Sequence, residues 1–273
     1  MPVLKTPLAL LFITTCLFSS CIRRAYYFSP LQGNTSGYHA MPVRSDSIKS
    51  AVYADGSFTI GGLNDQWRDQ VYSFQADIHQ AHVLNNIRIY YGAAAALGSY
   101  NVKPYGYFNN NQYIPDSSLI NIHSGHKTFG AYGINAGLSF TAPMGRKGEW
   151  RYFGIEGSLF GELGDYYTFR KNLPDSAADV IDKKKYFGSL GFNTELVFKG
   201  RSSRKFGIKI ATGSYLRRLY YNGNYTGNQH LQYSDLLYFS NTYHFTSNKV
   251  TTYFQFNIAT QAGHFRVGMN YRL

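Results

Sequence analysis

Cysteine is nearly missing from this chain: there are two in 273 residues, and both lie within the first 21. After Cys21 there is no thiol pair to bridge, no thiolate metal site and no cysteine nucleophile, so stability has to come from backbone ladders and packing. Long apolar runs are missing as well. Beyond residue 20 nothing approaches the roughly 18 consecutive apolar residues of a spanning helix, and the mean hydropathy is -0.29. If the chain crosses a membrane it must cross as strands, because a closed barrel is the only alternative that pairs every backbone group without water. Acidic residues are few, 15 Asp and Glu against 27 Lys and Arg, for a formal net charge of +12. Proline numbers only 8. No repeat of roughly 20 to 50 residues is present, which excludes propellers and solenoids.

What the chain does have is Tyr (25), Phe (20) and Gly (27), ordered with period two. Ten segments alternate between apolar and small or polar residues: 48–60, 71–83, 87–102, 128–141, 150–169, 186–198, 206–220, 236–245, 250–260 and 265–273. In 186–198, Leu190, Phe192, Leu196 and Phe198 share one parity, and Gly191, Asn193 and Glu195 the other. Strand side chains alternate between faces, so such a segment needs an apolar medium on one side and polar filling on the other. A soluble sandwich alternates too, but here the connections are also sorted. Long links follow the third, fifth and seventh segments and short ones the second, fourth and sixth, the pattern of a membrane barrel with long external loops and short periplasmic turns. The last segment ends the chain, with Phe265, Val267, Met269, Tyr271 and Leu273 on one face. It resembles the C-terminal strand of outer-membrane β-barrel proteins, departing in ending on Leu273 rather than an aromatic.

The N-terminus reads as an export signal: Lys5, then a mostly apolar stretch from Leu8 to Phe18, then Ser19-Ser20-Cys21. Leu17-Phe18-Ser19-Ser20-Cys21 resembles the lipobox of bacterial lipoproteins. That resemblance implies a signal peptide 1–20 and an acylated Cys21, and together with the barrel pattern the reading is a Gram-negative outer membrane. Residues 21–46 show no period, carry Pro30, Gly33, Gly37 and Pro42, and read as a tether between lipid and barrel. With no acidic run after Cys21, a periplasm-facing anchor is favoured.

Inward parity collects charges of both signs. Arg88, Glu156, Glu195, Lys209 and Arg217 are expected to pair across a narrow lumen, since pairing makes burial of charge tolerable. Arg146, Lys147 and Arg151 in one turn, and Lys199, Arg201, Arg204 and Lys205 in another, are expected at a phosphate-bearing surface. Aromatics near strand ends, among them Tyr90, Tyr91, Tyr100, Trp150, Tyr152, Tyr166, Tyr167, Tyr220 and Tyr221, read as interfacial girdles. For chemistry the candidates are Ser124 and His126 in a long loop, a Ser–His pair of a kind that attacks esters. No acidic orienting residue accompanies them. His79 lies two positions from Asp77, which reads as an interior hydrogen bond, and the remaining histidines have no metal-ligand spacing, so neither a metal nor another cofactor beyond the acyl lipid is expected.

The reading is therefore an all-β antiparallel transmembrane β-barrel over residues 47–273, of ten strands, or eight if the eighth and ninth segments form rim structure. Its expected partners are outer-membrane lipid and a larger outer-membrane complex, not nucleic acid. The expected role is structural or interactive, as an accessory subunit or surface binding platform. A membrane-embedded lipid hydrolase and a narrow solute channel are the alternatives.

Overall fold

The computed structural model describes residues 26–35, 37–43, 46, 48–64, 67–103, 106–109, 112–115, 124–145, 148–174, 178, 180–200, 204–221 and 232–273, without side chains at 106–109, 112–115, 217–221 and 232–235. In chain order, β1 (Tyr26–Tyr27) precedes β2 (Ser50–Leu63), β3 (Asp69–Leu84) and β4 (Ile87–Val102). A hairpin of β5 (Gly106–Asn109) and β6 (Gln112–Pro115) follows, then β7 (Gly125–Met144), β8 (Gly148–Leu163), the helix α1 (Asp165–Asn172) and β9 (Val180–Ile181). The chain ends with β10 (Tyr186–Lys199), β11 (Lys205–Tyr221), β12 (Gln232–Ser247), β13 (Val250–Ala259) and β14 (Ala262–Arg272). Ten strands close into one antiparallel barrel, in which β14 pairs with β2. The segments expected as eighth and ninth are full wall strands, so the eight-strand alternative is excluded.

Closure leaves no sheet edge, and alternation then sorts the wall. Leu97 is 68% exposed and Val267 59%, with Phe74, Ile78, Ile134, Phe192 and Phe265 likewise on the outside. Ser73, Gln75, Asp77 and His79 of β3, interleaved with that belt, are buried inside. An apolar belt this continuous suits contact with lipid rather than water. No described helix is long and apolar enough to cross a membrane.

Three expectations are corrected. The fifth segment does not run to Phe169: β8 stops at Leu163, Gly164 takes φ 101, and α1 begins. Tyr90, Tyr100 and Tyr166 are no interfacial girdle, since all three are buried inside, whereas Tyr91, Trp150 and Tyr152 do face outward. The side chains of Tyr220 and Tyr221 lie outside the described residues.

The third correction concerns the segment read as a tether, which runs through the barrel. Tyr27, Phe28, Leu31, Asn34, Tyr38, His39 and Val43 are all buried. Tyr26–Tyr27 pairs in parallel with Val180–Ile181 in the long link between α1 and β10, while Asp46 meets Lys205 beside a short turn. The segment thus enters at the long-loop end, descends the lumen and turns back into β2 at the short-turn end. Its start and Leu273 lie at opposite ends of the barrel, not side by side. Aperiodic Gly/Pro/Asn sequence looks alike whether water or a polar lumen satisfies its backbone.

Large inward rings lie over glycines of neighbouring strands. A Cβ at Gly137 would meet the Tyr90 ring at 2.3 Å, and one at Gly268 the Tyr253 ring at 2.3 Å. Gly137→Val is expected to cost about 1–3 kcal/mol by overpacking. It should lower the temperature at which the detergent-folded barrel loses its fast gel migration, with partial recovery in Gly137→Val with Tyr90→Leu.

Candidate functional site

The lumen is where polar chemistry gathers, and it is organised in layers from the long-loop end downward. At the top, α1 turns Tyr166 and Arg170 inward, and both are fully buried. Arg170 pairs with Glu162 and lies 4.0 Å from Asp182. Tyr166 stacks on Tyr100 at 3.9 Å, and Tyr27 meets Phe169 edge-on at 5.5 Å. Burial pushes the Tyr166 phenol well above the usual tyrosine range, so it stays neutral.

Below this cap, Tyr215 Oη donates to the Leu31 carbonyl (2.7 Å) and accepts from the Gly33 amide (2.5 Å). The Asn34 carbonyl accepts from Arg266 Nη2 (2.6 Å) and Gln75 Nε2 (3.2 Å), and its side-chain oxygen accepts from Asn257 Nδ2 (3.1 Å). Lower still, Tyr38 Oη donates to Glu195 Oε1 (2.9 Å) and its ring stacks on His244 at 4.2 Å. Asn270 Nδ2 donates to the Tyr38 carbonyl (3.0 Å), and Arg151 Nη2 to the Met41 carbonyl (3.3 Å). The described residues from Tyr26 to Asp46 therefore form a plug whose backbone groups are met partly by its own turns and partly by wall side chains.

Of the five expected lumen charges, Arg88, Glu156, Glu195 and Lys209 are buried inside, and the side chain of Arg217 lies outside the described residues. Glu156, Lys209 and Glu195 lie side by side, since Lys209 stands directly opposite Glu195 across β10 and β11. Lys209 Nζ pairs with Glu156 Oε2 at 2.5 Å. Arg88 connects to Glu195 through two residues the pattern did not place in the lumen: Arg88 Nη2 reaches Glu149 Oε2 (2.6 Å), Glu149 Oε1 reaches Arg151 Nε (3.3 Å), and Arg151 Nη1 reaches Glu195 Oε2 (2.8 Å). His244 Nε2 adds a contact to Glu195 Oε1 at 2.8 Å.

Arg151, expected in a turn at the membrane surface, is thus a central lumen cation. The reason is a bulge in β8. Thr141 of β7 faces Arg151 while Phe140 faces Phe153, and the β10 register slips opposite the same place. Tyr152 and Phe153 both point outward, so inward parity is even beyond the bulge (Glu156, Ser158) and odd before it (Glu149, Arg151). Two consecutive outward aromatics were the only sign of it in the sequence.

Ser124 and His126 are exposed at the long-loop end, where His126 Nδ1 lies 3.4 Å from Ser99 Oγ. Cys21 lies outside the described residues, as do Arg146, Lys147 and Arg201. On the outer wall, Ala93, Ile134, Leu159, Tyr186 and Leu216 line an apolar groove of about 750 Å³, with Lys184 at its rim near the long-loop end.

No family model matches the chain and no curated protein resembles it. Among solved structures, its neighbours are bacterial outer-membrane β-barrels. An outer membrane channel from Pseudomonas putida F1 is 9% identical, with TM-score 0.42 over 86% of this chain and 99% of that one. The β-domain of the Bordetella autotransporter BrkA is 9% identical, with TM-score 0.40 over 83% and 100%. The translocator domain of the autotransporter NalP from Neisseria meningitidis is 8% identical, with TM-score 0.35 over 84% and 90%. Their differing roles carry nothing over to this chain.

Arg151 is the residue on which the lumen charges converge. Arg151→Met is expected to destabilise the folded barrel by about 3–5 kcal/mol by stranding Glu149 and Glu195, and Arg151→Met with Glu195→Gln by less than the sum of the single changes. Guanidinium unfolding in micelles, followed by tyrosine fluorescence, measures both.

Proposed function

We propose that the protein is an outer-membrane lipoprotein whose closed barrel serves as a surface platform or accessory subunit rather than as a conduit. The observation that carries this reading is the plug: the described residues from Tyr26 to Val43 occupy the lumen, bonded to the wall at each level. A lumen filled by covalently continuous chain offers solutes no ready path, and a barrel that does not conduct works through its surfaces. Those surfaces are the apolar belt, which suits lipid, and the long-loop face, which carries α1 and the β5–β6 hairpin.

The same plug bears on the lipid anchor. Cys21 lies five positions before Tyr26, a reach of at most about 18 Å even when fully extended. An acyl group on Cys21 would therefore sit at the long-loop face, in the outer leaflet, instead of facing the periplasm as the lack of acidic residues after Cys21 suggests. The groove under Lys184 lies at that end of the wall, suited to an acyl chain with an anionic headgroup above it.

Purified protein in planar bilayers is expected to show no discrete conductance; recurrent steps would favour the narrow channel instead. On intact cells, an epitope inserted between Cys21 and Tyr26 should bind antibody while one appended after Leu273 does not, and Cys21→Ser should lose the acyl mass. Ester hydrolysis abolished by Ser124→Ala or His126→Ala would replace this reading with the lipid hydrolase. Mild-detergent extraction from native membranes should bring a stoichiometric membrane partner with the protein.

A further inference from the structure

Midway down the lumen the plug places His39 beside two wall residues of β3, Asp77 and His79. All three are buried, and one ligand atom from each lies within 4.8 Å of the others. Asp77 Oδ1 sits 2.7 Å from His79 Nδ1 and 3.7 Å from His39 Nε2. The supporting contacts are those of a prepared ligand set. His79 Nε2 faces the Ala40 carbonyl at 3.0 Å, and since a carbonyl only accepts, that nitrogen carries the hydrogen and Nδ1 is turned toward the carboxylate. Asp77 Oδ2 is held by Asn135 Nδ2 at 2.7 Å, leaving Oδ1 for the two imidazoles. The His79 ring lies against Tyr53 at 5.2 Å and the His39 ring against Tyr90 at 4.3 Å, which fixes both planes. His39 Nδ1 is buried without a hydrogen-bond partner, and the 3.7 Å gap from His39 Nε2 to the carboxylate is too long for a hydrogen bond.

We propose that His39, Asp77 and His79 form a binding site for one divalent transition-metal ion of the zinc type, stapling the plug to the barrel wall. Two imidazole nitrogens and one carboxylate oxygen are a donor set such ions take, with a water completing the tetrahedron. Ligand atoms about 2.0–2.1 Å from a tetrahedral ion stand roughly 3.3 Å apart. Reaching that spacing opens the Asp77–His79 edge by about 0.6 Å, shortens the Asp77–His39 edge by about 0.4 Å, and brings the two imidazole nitrogens, now within 4.8 Å, together by up to about 1.5 Å. His39 belongs to a segment without regular secondary structure, so the adjustment falls on the element best able to make it. Binding needs His79 Nδ1 free of hydrogen, which the Nε2–H donated to the Ala40 carbonyl allows, and the ion sits between Nδ1 and the carboxylate that partly neutralises it. The spacing of the histidines along the chain shows none of this, because the third ligand arrives only when the plug docks.

The test uses the full chain folded in detergent after chelation, with Co²⁺ or Zn²⁺ present during folding. The expected result is one equivalent of Co²⁺ with the visible absorption of a tetrahedral site, displaced by Zn²⁺. Zn²⁺ should also raise the melting temperature. His39→Ala with His79→Ala should lose both effects, while His82→Ala, on the exposed face of the same strand, keeps them. Because the double variant removes two lumen contacts, His39→Cys serves as the second readout: it should retain Co²⁺ and add a thiolate-to-cobalt charge-transfer band. Heat-modifiable migration checks that each variant is folded. No saturable binding in the parent chain, unchanged binding in the double variant, or absence of the thiolate band in folded His39→Cys would each overturn the proposal.

Discussion

Ten strands enclose more space than inward side chains alone fill: about eight give an interior just wide enough for that. This chain occupies the surplus with the described residues between Tyr26 and Val43, and the arrangement of the lumen follows from the need to satisfy their backbone. Beyond the short pairing of Tyr26–Tyr27 and the turns at Gln32 and Asn34, the segment has no ladder and must find donors and acceptors on the wall. Tyr215, Arg266, Gln75, Asn270, Arg151 and His79 supply them. The wall gives up apolar filling for long polar side chains, and its glycines make room for the large rings between them.

The charges follow the same logic. Arg88, Glu149, Arg151 and Glu195 form a chain of alternating sign with each member in contact with the next, which lets four ionised groups remain out of water. Tyr38 of the plug joins this chain at Glu195, so plug docking and charge pairing support each other. The upper lumen is held differently, by aromatic packing of Tyr27, Tyr100 and Tyr166 under the α1 cap. The plug is thus gripped at one end by apolar burial and at the other by ionic contacts.

Threading also sets which face each terminus of the described chain belongs to. Tyr26 lies among the long loops and Leu273 among the short turns. Alternation of loop lengths, which the sequence does carry, orients the barrel. The side from which the N-terminal segment approaches follows from where its hydrogen bonds are.

Strand count, parity and the belt were legible in the sequence because a strand's two faces meet two different media, and period two writes that difference residue by residue. Ile89, Tyr91 and Leu97 against Arg88 and Tyr90 needed no tertiary information. Where parity was interrupted the reading failed: the bulge at Tyr152–Phe153 hid Glu149 and Arg151, and Gly164 hid the start of α1. The sequence alone determined a wall with one apolar and one polar face, since that pattern is local. Only the tertiary structure decided what fills the barrel, because residues 26–46 carry no periodic signal and their partners lie as far as 232 positions away. The meeting of His39 with Asp77 and His79 is a product of that docking and of nothing nearer in the chain.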